Sequence, residues 1–242
     1  MTGGRLYLLP TLLGADSIDD LPPRTLAVAR QVRHFLAEDA KSARAFLKAI
    51  GHPGPIAELS IVDIGHEPPV ERLDEWLAPL AAGHDVAVVS EAGCPAVADP
   101  GAGLVARAHA LGHRVVPLVG PSALLLALMG AGLNGQAFRF VGYLPRDEAN
   151  LRAALQALER RSAAESETQL FIETPYRNAR LFDMVLAACA PGVQLAVATD
   201  LTLADEAIAM RTVAEWRALA PTQRPRLERR PTVFALLAPG RR

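Results

Sequence analysis

Short apolar runs alternate with longer amphipathic stretches through the first half of the chain. Leu6-Tyr7-Leu8-Leu9 is short, apolar and closed by Pro10, the mark of a buried strand. Residues 22–33 then carry a helical spacing, opened by Asp19 or Asp20 with Pro22 or Pro23 in the first turn. The same reading gives strands over 34–37, 60–64, 85–89 and 114–118. Between them it gives helices over 42–50, 69–82, 101–111 and 122–130, the first two and 101–111 each followed by Gly. The run Asp85-Val86-Ala87-Val88-Val89 is the plainest strand, nearly all β-branched and bounded by turn residues. Strand, helix, strand repeated in this way predicts a parallel sheet with helices on both faces.

The second half reads differently. Strands are predicted over 138–143, 170–172 and 195–198, with helices over 147–161 and 178–189 and a polar loop over 162–167. Residues 207–210 and 231–237 are expected to pair antiparallel with each other. The pattern breaks at Asn134-Gly135-Gln136. On the pattern alone that break is the best candidate for a domain boundary; the organisation expected is an α/β protein of two α/β domains, 1–119 with a parallel sheet and 120–242 with a mixed one.

Composition narrows the function classes. Of 242 residues, half are hydrophobic, and 25 Lys plus Arg against 26 Asp plus Glu leave a formal charge of −1. That balance gives no global attraction to nucleic acid or to an anionic membrane. Cys94 and Cys189 stand too far apart for a zinc motif or a disulfide framework, which points to a reducing, cytoplasmic setting and no metal. The most apolar stretch, 115–133, is interrupted by Pro117, Gly120, Pro121, Gly130 and Gly132, so no membrane span is expected.

In a parallel sheet, ligands bind beyond the carboxyl ends of the strands. Three such ends carry small residues and prolines: Pro10-Thr11-Leu12-Leu13-Gly14, Ser90-Glu91-Ala92-Gly93-Cys94-Pro95 closed by Asp99-Pro100-Gly101, and Gly120-Pro121-Ser122. Gly93 allows close backbone approach or a positive φ, and the prolines reduce the cost of ordering the loops. Ordinary turns use the same residues, so each end alone decides nothing. The Gly-x-Gly-x-x-Gly fingerprint and the phosphate loop are absent, which disfavours redox cofactors and nucleoside triphosphates.

Seven short motifs occur in a fixed order. They are Pro10-Thr11-x-x-Gly14, Ala37-Glu38-Asp39, Val89-Ser90-Glu91-Ala92-Gly93-x-Pro95, Asp99-Pro100-Gly101, Val116-Pro117-Leu118-Val119-Gly120-Pro121-Ser122, Gly142-Tyr143-Leu144-Pro145 and Glu173-Thr174-Pro175-Tyr176-Arg177. Together they resemble the tetrapyrrole methylase superfamily, and within it the branch that methylates a ribose 2′-hydroxyl of ribosomal RNA. The resemblance implies two α/β domains, a homodimer, and S-adenosylmethionine bound between the domains. It implies cofactor contacts from Pro10, Ser90, Ala92 and Gly93 in the first domain. Ser122, Tyr176, Leu201, Pro231 and Thr232 would supply those of the second.

Departures from the branch fall on the substrate side. Gly14-Ala15 stands for its Gly-Asn, Glu38-Asp39-Ala40-Lys41 for Glu-Asp-Thr-Arg, and Thr199-Asp200-Leu201-Thr202-Leu203 for Arg-Glu-Leu-Thr-Lys. Four readings stay open: an RNA methyltransferase, a tetrapyrrole methyltransferase, a methyltransferase for another small molecule, and a cofactor-binding protein without catalysis. A hydroxyl acceptor calls for a proton acceptor. Glu38, Asp39, Glu91, Asp99 and Glu173 are the candidates, each equally readable as a cap or surface carboxylate. Arg177 suits either a substrate phosphate or an ion pair with Glu173. Cys94 has no visible activating neighbour and reads as inert. Arg224, Arg226, Arg229 and Arg230, with Arg241 and Arg242, form a basic run that suits phosphates or plain solvent.

Overall fold

The computed structural model describes residues 3–14 and 18–240; Ala15, Arg241 and Arg242 lie outside them. The chain divides into two compact units, Met1–Ser122 and Ala123–Arg242.

The first unit holds strands β1 (Arg5–Leu9), β2 (His34–Ala37), β3 (Ser60–Asp63), β4 (Val86–Val89) and β5 (Arg114–Pro117). They form one sheet in the order β3-β2-β4-β1-β5, and every pairing is parallel. Helices α1 (Pro23–Ala29), α2 (Ala40–Ala49), α3 (Leu73–Ala81) and α4 (Ala102–Ala110) supply the crossovers. Side chains alternate across the sheet with period two. Leu6, Val86 and Val88 therefore point into a core with Trp76, Leu77 and Leu80 of α3 and Leu104 of α4. Tyr7, Leu9, Ala87 and Val89 point the other way, onto Ala29 of α1 and Leu47 of α2. This two-sided burial explains why β4 reads as a continuous apolar run rather than an alternating one.

Two details correct the expectation. Helix α1 begins at Pro23 with no side-chain cap, while Asp19 and Asp20 sit in a separate 3₁₀ turn, Ile18–Asp20. Proline at the first helical position needs no hydrogen-bond partner, so the turn can stand apart. The predicted helix over 69–82 starts as a 3₁₀ turn, Val70–Arg72, and becomes α-helical at Leu73.

The second unit holds α5 (Ala123–Ala131), β6 (Phe138–Tyr143), α6 (Glu148–Glu165), β7 (Thr168–Ile172), α7 (Asn178–Ala188), β8 (Gln194–Thr199), β9 (Ala207–Thr212), α8 (Val213–Ala218) and β10 (Thr232–Leu237). The sheet order is β6-β7-β10-β8-β9, with β6 and β7 parallel and the remaining pairs antiparallel. The mixed sheet agrees with the sequence reading, but the proposed pairing of 207–210 with 231–237 does not. Strand β10 lies between β7 and β8, and β9 pairs with β8 instead. Its central place follows from composition: β10 is buried from Thr232 through Leu236, as only an interior strand is.

One face of this sheet packs Phe171, Leu195, Val197, Phe234 and Leu236 against α6, α7 and α8. Phe171 and Phe234 stack at 5.5 Å, and the Trp216 indole N–H donates to Leu195 O at 2.9 Å. Helix α5 crosses the opposite face over β8, β9 and β10. The polar loop expected over 162–167 is in fact mostly the last turn of α6. Ser162 is buried there, donating to Glu167 O at 2.8 Å and accepting from Ala238 N at 2.8 Å. Ala163, Ala164 and Glu165 are good helix formers that carry the helix on to its left-handed cap at Ser166, and the Ser162 contacts fasten this last turn to the end of β10. No helix among the described residues is long and apolar enough to cross a membrane.

Candidate functional site

Because all five strands of the first unit run parallel, the loops that leave their carboxyl ends share one edge of the sheet. Strands β1 and β4 are neighbours, so the loops after Leu9 and Val89 meet. Thr11 N donates to Gly93 O at 2.9 Å, and the Thr11 hydroxyl donates to Ser90 O at 3.3 Å. Pro10, Thr11, Ser90 and Gly93 are all buried by this clasp, while Ala92 stays exposed at its tip.

Gly93 has φ +75°, and a Cβ built on it would stand 3.1 Å from Leu13 Cδ2 and 3.5 Å from Pro121 O. Only glycine fits that backbone without strain. The loop after β5 closes the same floor: Cys94 Sγ lies 3.4 Å from Pro121 O. Burial, and secondarily the charge of Asp99, push the Cys94 thiol up, in keeping with an inert cysteine. Further along, Ala96 and Ala98 adopt φ of 65° and 67°, an uncommon region for residues with a Cβ. Ala96 N donates to Pro100 O at 3.2 Å, which holds the turn shut.

A group of titratable side chains stands beside this clasp. Glu38 follows the last residue of β2 and is buried; its Oε2 accepts from Glu91 N at 3.0 Å. Its Oε1 lies 2.7 Å from His66 Nδ1. Asp99 is half-buried and its carboxyl is pushed up to about 6. Burial is the largest cause, followed by the charge of Glu38; a hydrogen bond from Ser90 works against both, Glu91 adds to the rise and His66 opposes it. Asp39 is spent differently. Its Oδ1 accepts from Ser42 N at 2.6 Å as the cap of α2, and hydrogen bonds from Ser42 hold its carboxyl below the usual range.

The second unit gathers its own set of loops, because β7, β10 and β8 are adjacent. Asp200 N donates to Pro231 O at 3.0 Å, and Arg229 N to Pro175 O at 3.2 Å. Asp200, Thr202 and Arg229 all have positive φ, at 48°, 69° and 58°. Arg230 bridges Asp200 at 2.6 Å and Asp205 at 3.3 Å. Arg177 is paired with buried Glu173 at 2.7 Å. Leu201 and Thr232 are buried, Pro231 is exposed, and Tyr176 is 80% exposed with the Arg229 guanidinium 5.8 Å from its ring centre. Ser122 is half-buried at the end of the first unit, directly before α5.

Sequence reasoning therefore marked two clusters that the fold assembles, each within its own unit. Pro10, Glu38, Ser90, Gly93 and Asp99 form the first; Leu201, Pro231 and Thr232 join Glu173, Tyr176 and Arg177 at neighbouring strand ends in the second. It missed His66, although the strand-end rule applied to β3 would have reached it. It also missed Arg230 as the partner of two aspartates. Of the basic run, Arg224 lies 3.8 Å from Asp183 and Arg230 is tied to Asp200 and Asp205, so two of its arginines have acidic partners.

Comparison with known proteins agrees with this architecture. The family model described as tetrapyrrole (corrin/porphyrin) methylases matches residues 6–216. A Pseudomonas aeruginosa protein named ribosomal RNA small subunit methyltransferase I is 38% identical over 178 residues, 73% of this chain and 59% of that one. The protein of the same name from Escherichia coli O157:H7 is 34% identical over 212 residues, 88% of this chain and 70% of that one. The chain thus spans about three-fifths of the Pseudomonas relative. Among solved structures, the methyltransferase CobJ superposes with a TM-score of 0.61 at 19% identity, covering 98% of this chain and all of that one. By its ordered strand-end motifs, its parallel and mixed sheets and this match over most of its length, the chain belongs to the tetrapyrrole (corrin/porphyrin) methylase family.

Proposed function

We propose that the chain is an S-adenosylmethionine-dependent methyltransferase acting on RNA, with a ribose 2′-hydroxyl of 16S ribosomal RNA as the acceptor. The observation that carries the reading is the clasp of Thr11 on Gly93 and Ser90, in which Gly93 holds φ +75° with Leu13 and Pro121 packed beside it. Such a surface offers backbone rather than side chains to a ligand, which suits a flat nucleoside better than a bulky apolar ring. Relatives at 34–38% identity that carry a ribosomal RNA methyltransferase name support RNA over a tetrapyrrole.

In this reading Pro10, Ser90, Ala92, Gly93 and Ser122 hold the cofactor from the first unit. Tyr176, Leu201, Pro231 and Thr232 are the second unit's candidate contacts, on family likeness. When bound, the sulfonium supplies an electrophilic methyl group for in-line displacement. The chain's share is to orient the acceptor and keep water out, an effect worth roughly 7–11 kcal/mol in favourable cases. The prolines flanking the clasp lower the cost of ordering it. By the same likeness the working form is a homodimer.

The test is calorimetric titration with S-adenosylmethionine, then incubation of methyl-labelled cofactor with extract from cells lacking the gene. Saturable binding and label on the ribose of small-subunit RNA are expected. Label on a porphyrinoid fraction would favour the tetrapyrrole reading, binding without label a non-catalytic one, and no binding would remove the proposal.

A further inference from the structure

The turn after β3 presents a side chain that the cofactor reading does not use. Ile64 N donates to Ala37 O at 2.8 Å, extending the β2–β3 pairing, and Gly65 N then donates to the Asp63 carboxylate at 3.1 Å. Gly65 has φ +65°. This reversal folds His66 back over the end of β2, where its Nδ1 meets Glu38 Oε1 at 2.7 Å. The two partners differ sharply in environment: the Glu38 side chain is 6% exposed and the His66 side chain 77%. A carboxylate oxygen only accepts, so this contact calls for the hydrogen on Nδ1, which leaves the lone pair of the neutral ring on Nε2.

Glu38 is itself fixed. Its N–H donates to Val89 O at 3.0 Å, and its second carboxylate oxygen takes the Glu91 N–H, the first amide of the Ser90–Gly93 loop after Ser90. The imidazole is thus tied through one buried carboxylate to the loop assigned to the cofactor. Among the described residues no lysine or arginine forms an ion pair with Glu38, Glu91 or Asp99; the partner of Glu38 is His66, which carries a charge only when protonated. A buried carboxylate orienting an exposed imidazole is a proton-accepting arrangement.

We infer that His66 takes the proton from the acceptor hydroxyl and that Glu38 is its positioning residue. The inference rests on the methyltransferase reading above. As the hydroxyl oxygen bonds to the methyl carbon, the carbon–sulfur bond breaks with its electron pair left on sulfur. The hydroxyl proton passes to Nε2, giving an imidazolium held by Glu38. The groups facing His66 all favour that charge: Glu38 by hydrogen bond and by charge, Glu91 and Asp99 by charge from the β4–α4 loop, so its pKa is raised. Asp63 on β3 is engaged with Ala40 N and Gly65 N, and Asp39 with α2.

The test combines nitrogen-detected NMR of the histidine rings with the pH profile of methyl transfer to ribosomal subunits. In the unmodified protein, His66 should show the Nδ1–H tautomer when neutral and titrate above an ordinary histidine. Glu38→Gln should remove both properties. His66→Gln, at an exposed position, should fold normally and bind S-adenosylmethionine within about twofold. It should lose 10²- to 10⁴-fold in kcat, the usual range for general-base catalysis, together with the rise of kcat with pH. Asp99→Asn should keep that rise. An active wild-type protein with His66→Gln within twofold in kcat, or with the pH limb intact, would overturn this inference alone. A wild-type protein that transfers no methyl group would overturn both it and the reading beneath it.

Discussion

Gly120 lies against Pro10 so closely that a Cβ on it would stand 2.3 Å from the proline Cβ and 2.7 Å from its Cγ. The loops after β5 and β1 can touch this way because their strands are neighbours, with Leu8 opposite Pro117. Gly120→Ala should force the Pro10 loop to move, at a cost of about 1–3 kcal/mol for overpacking. Thermal unfolding should register that loss, and calorimetry should show weakened S-adenosylmethionine binding because Pro10 carries the clasp partner Thr11.

Asp99 should make the protein more stable in mild acid than at neutral pH. Its folded-state pKa is raised to about 6 from 3.8, so its contribution is fully present below about pH 4 and is lost as the pH rises through 6. Asp99→Asn should therefore stabilise at pH 7.5 by on the order of 1–2 kcal/mol, allowing for its partial exposure. The difference should vanish near pH 3.5. Denaturant melts at the two pH values give the comparison, and equal gains at both would contradict the assignment.

Arg230 neutralises Asp200, which is buried and holds a positive φ at the end of β8. Arg230→Ala leaves that carboxylate uncompensated, and a loss of about 2–4 kcal/mol is expected. Arg230→Ala with Asp200→Asn should recover part of it. The double-mutant cycle, read by urea unfolding, separates this pair from any role of the arginine towards RNA.

Ser162 binds the end of α6 to the end of β10. Ser162→Ala would leave the Ala238 N–H and the Glu167 carbonyl without this partner, costing about 1–3 kcal/mol. Hydrogen exchange at Ala238 should accelerate, while Ser162→Cys should be intermediate.

The sequence by itself determined the parallel sheet of the first unit, the mixed sheet of the second, and the loops in which the chemistry is expected. These rest on local causes: β-branched runs such as 86–89, an N-cap at Asp39, and Gly/Pro punctuation at Gly93 and Pro95. It also sorted Cys94 as inert. What only the tertiary structure decided depends on which strands are neighbours. That β10 enters between β7 and β8, that Ser162 meets Ala238, and that His66 lands on Glu38 are consequences of long-range pairing. His66 lies 28 positions beyond Glu38, and no local period links them. The register of β2 on β3 sets Ala37 opposite Asp63, and it is this that brings the two side chains together.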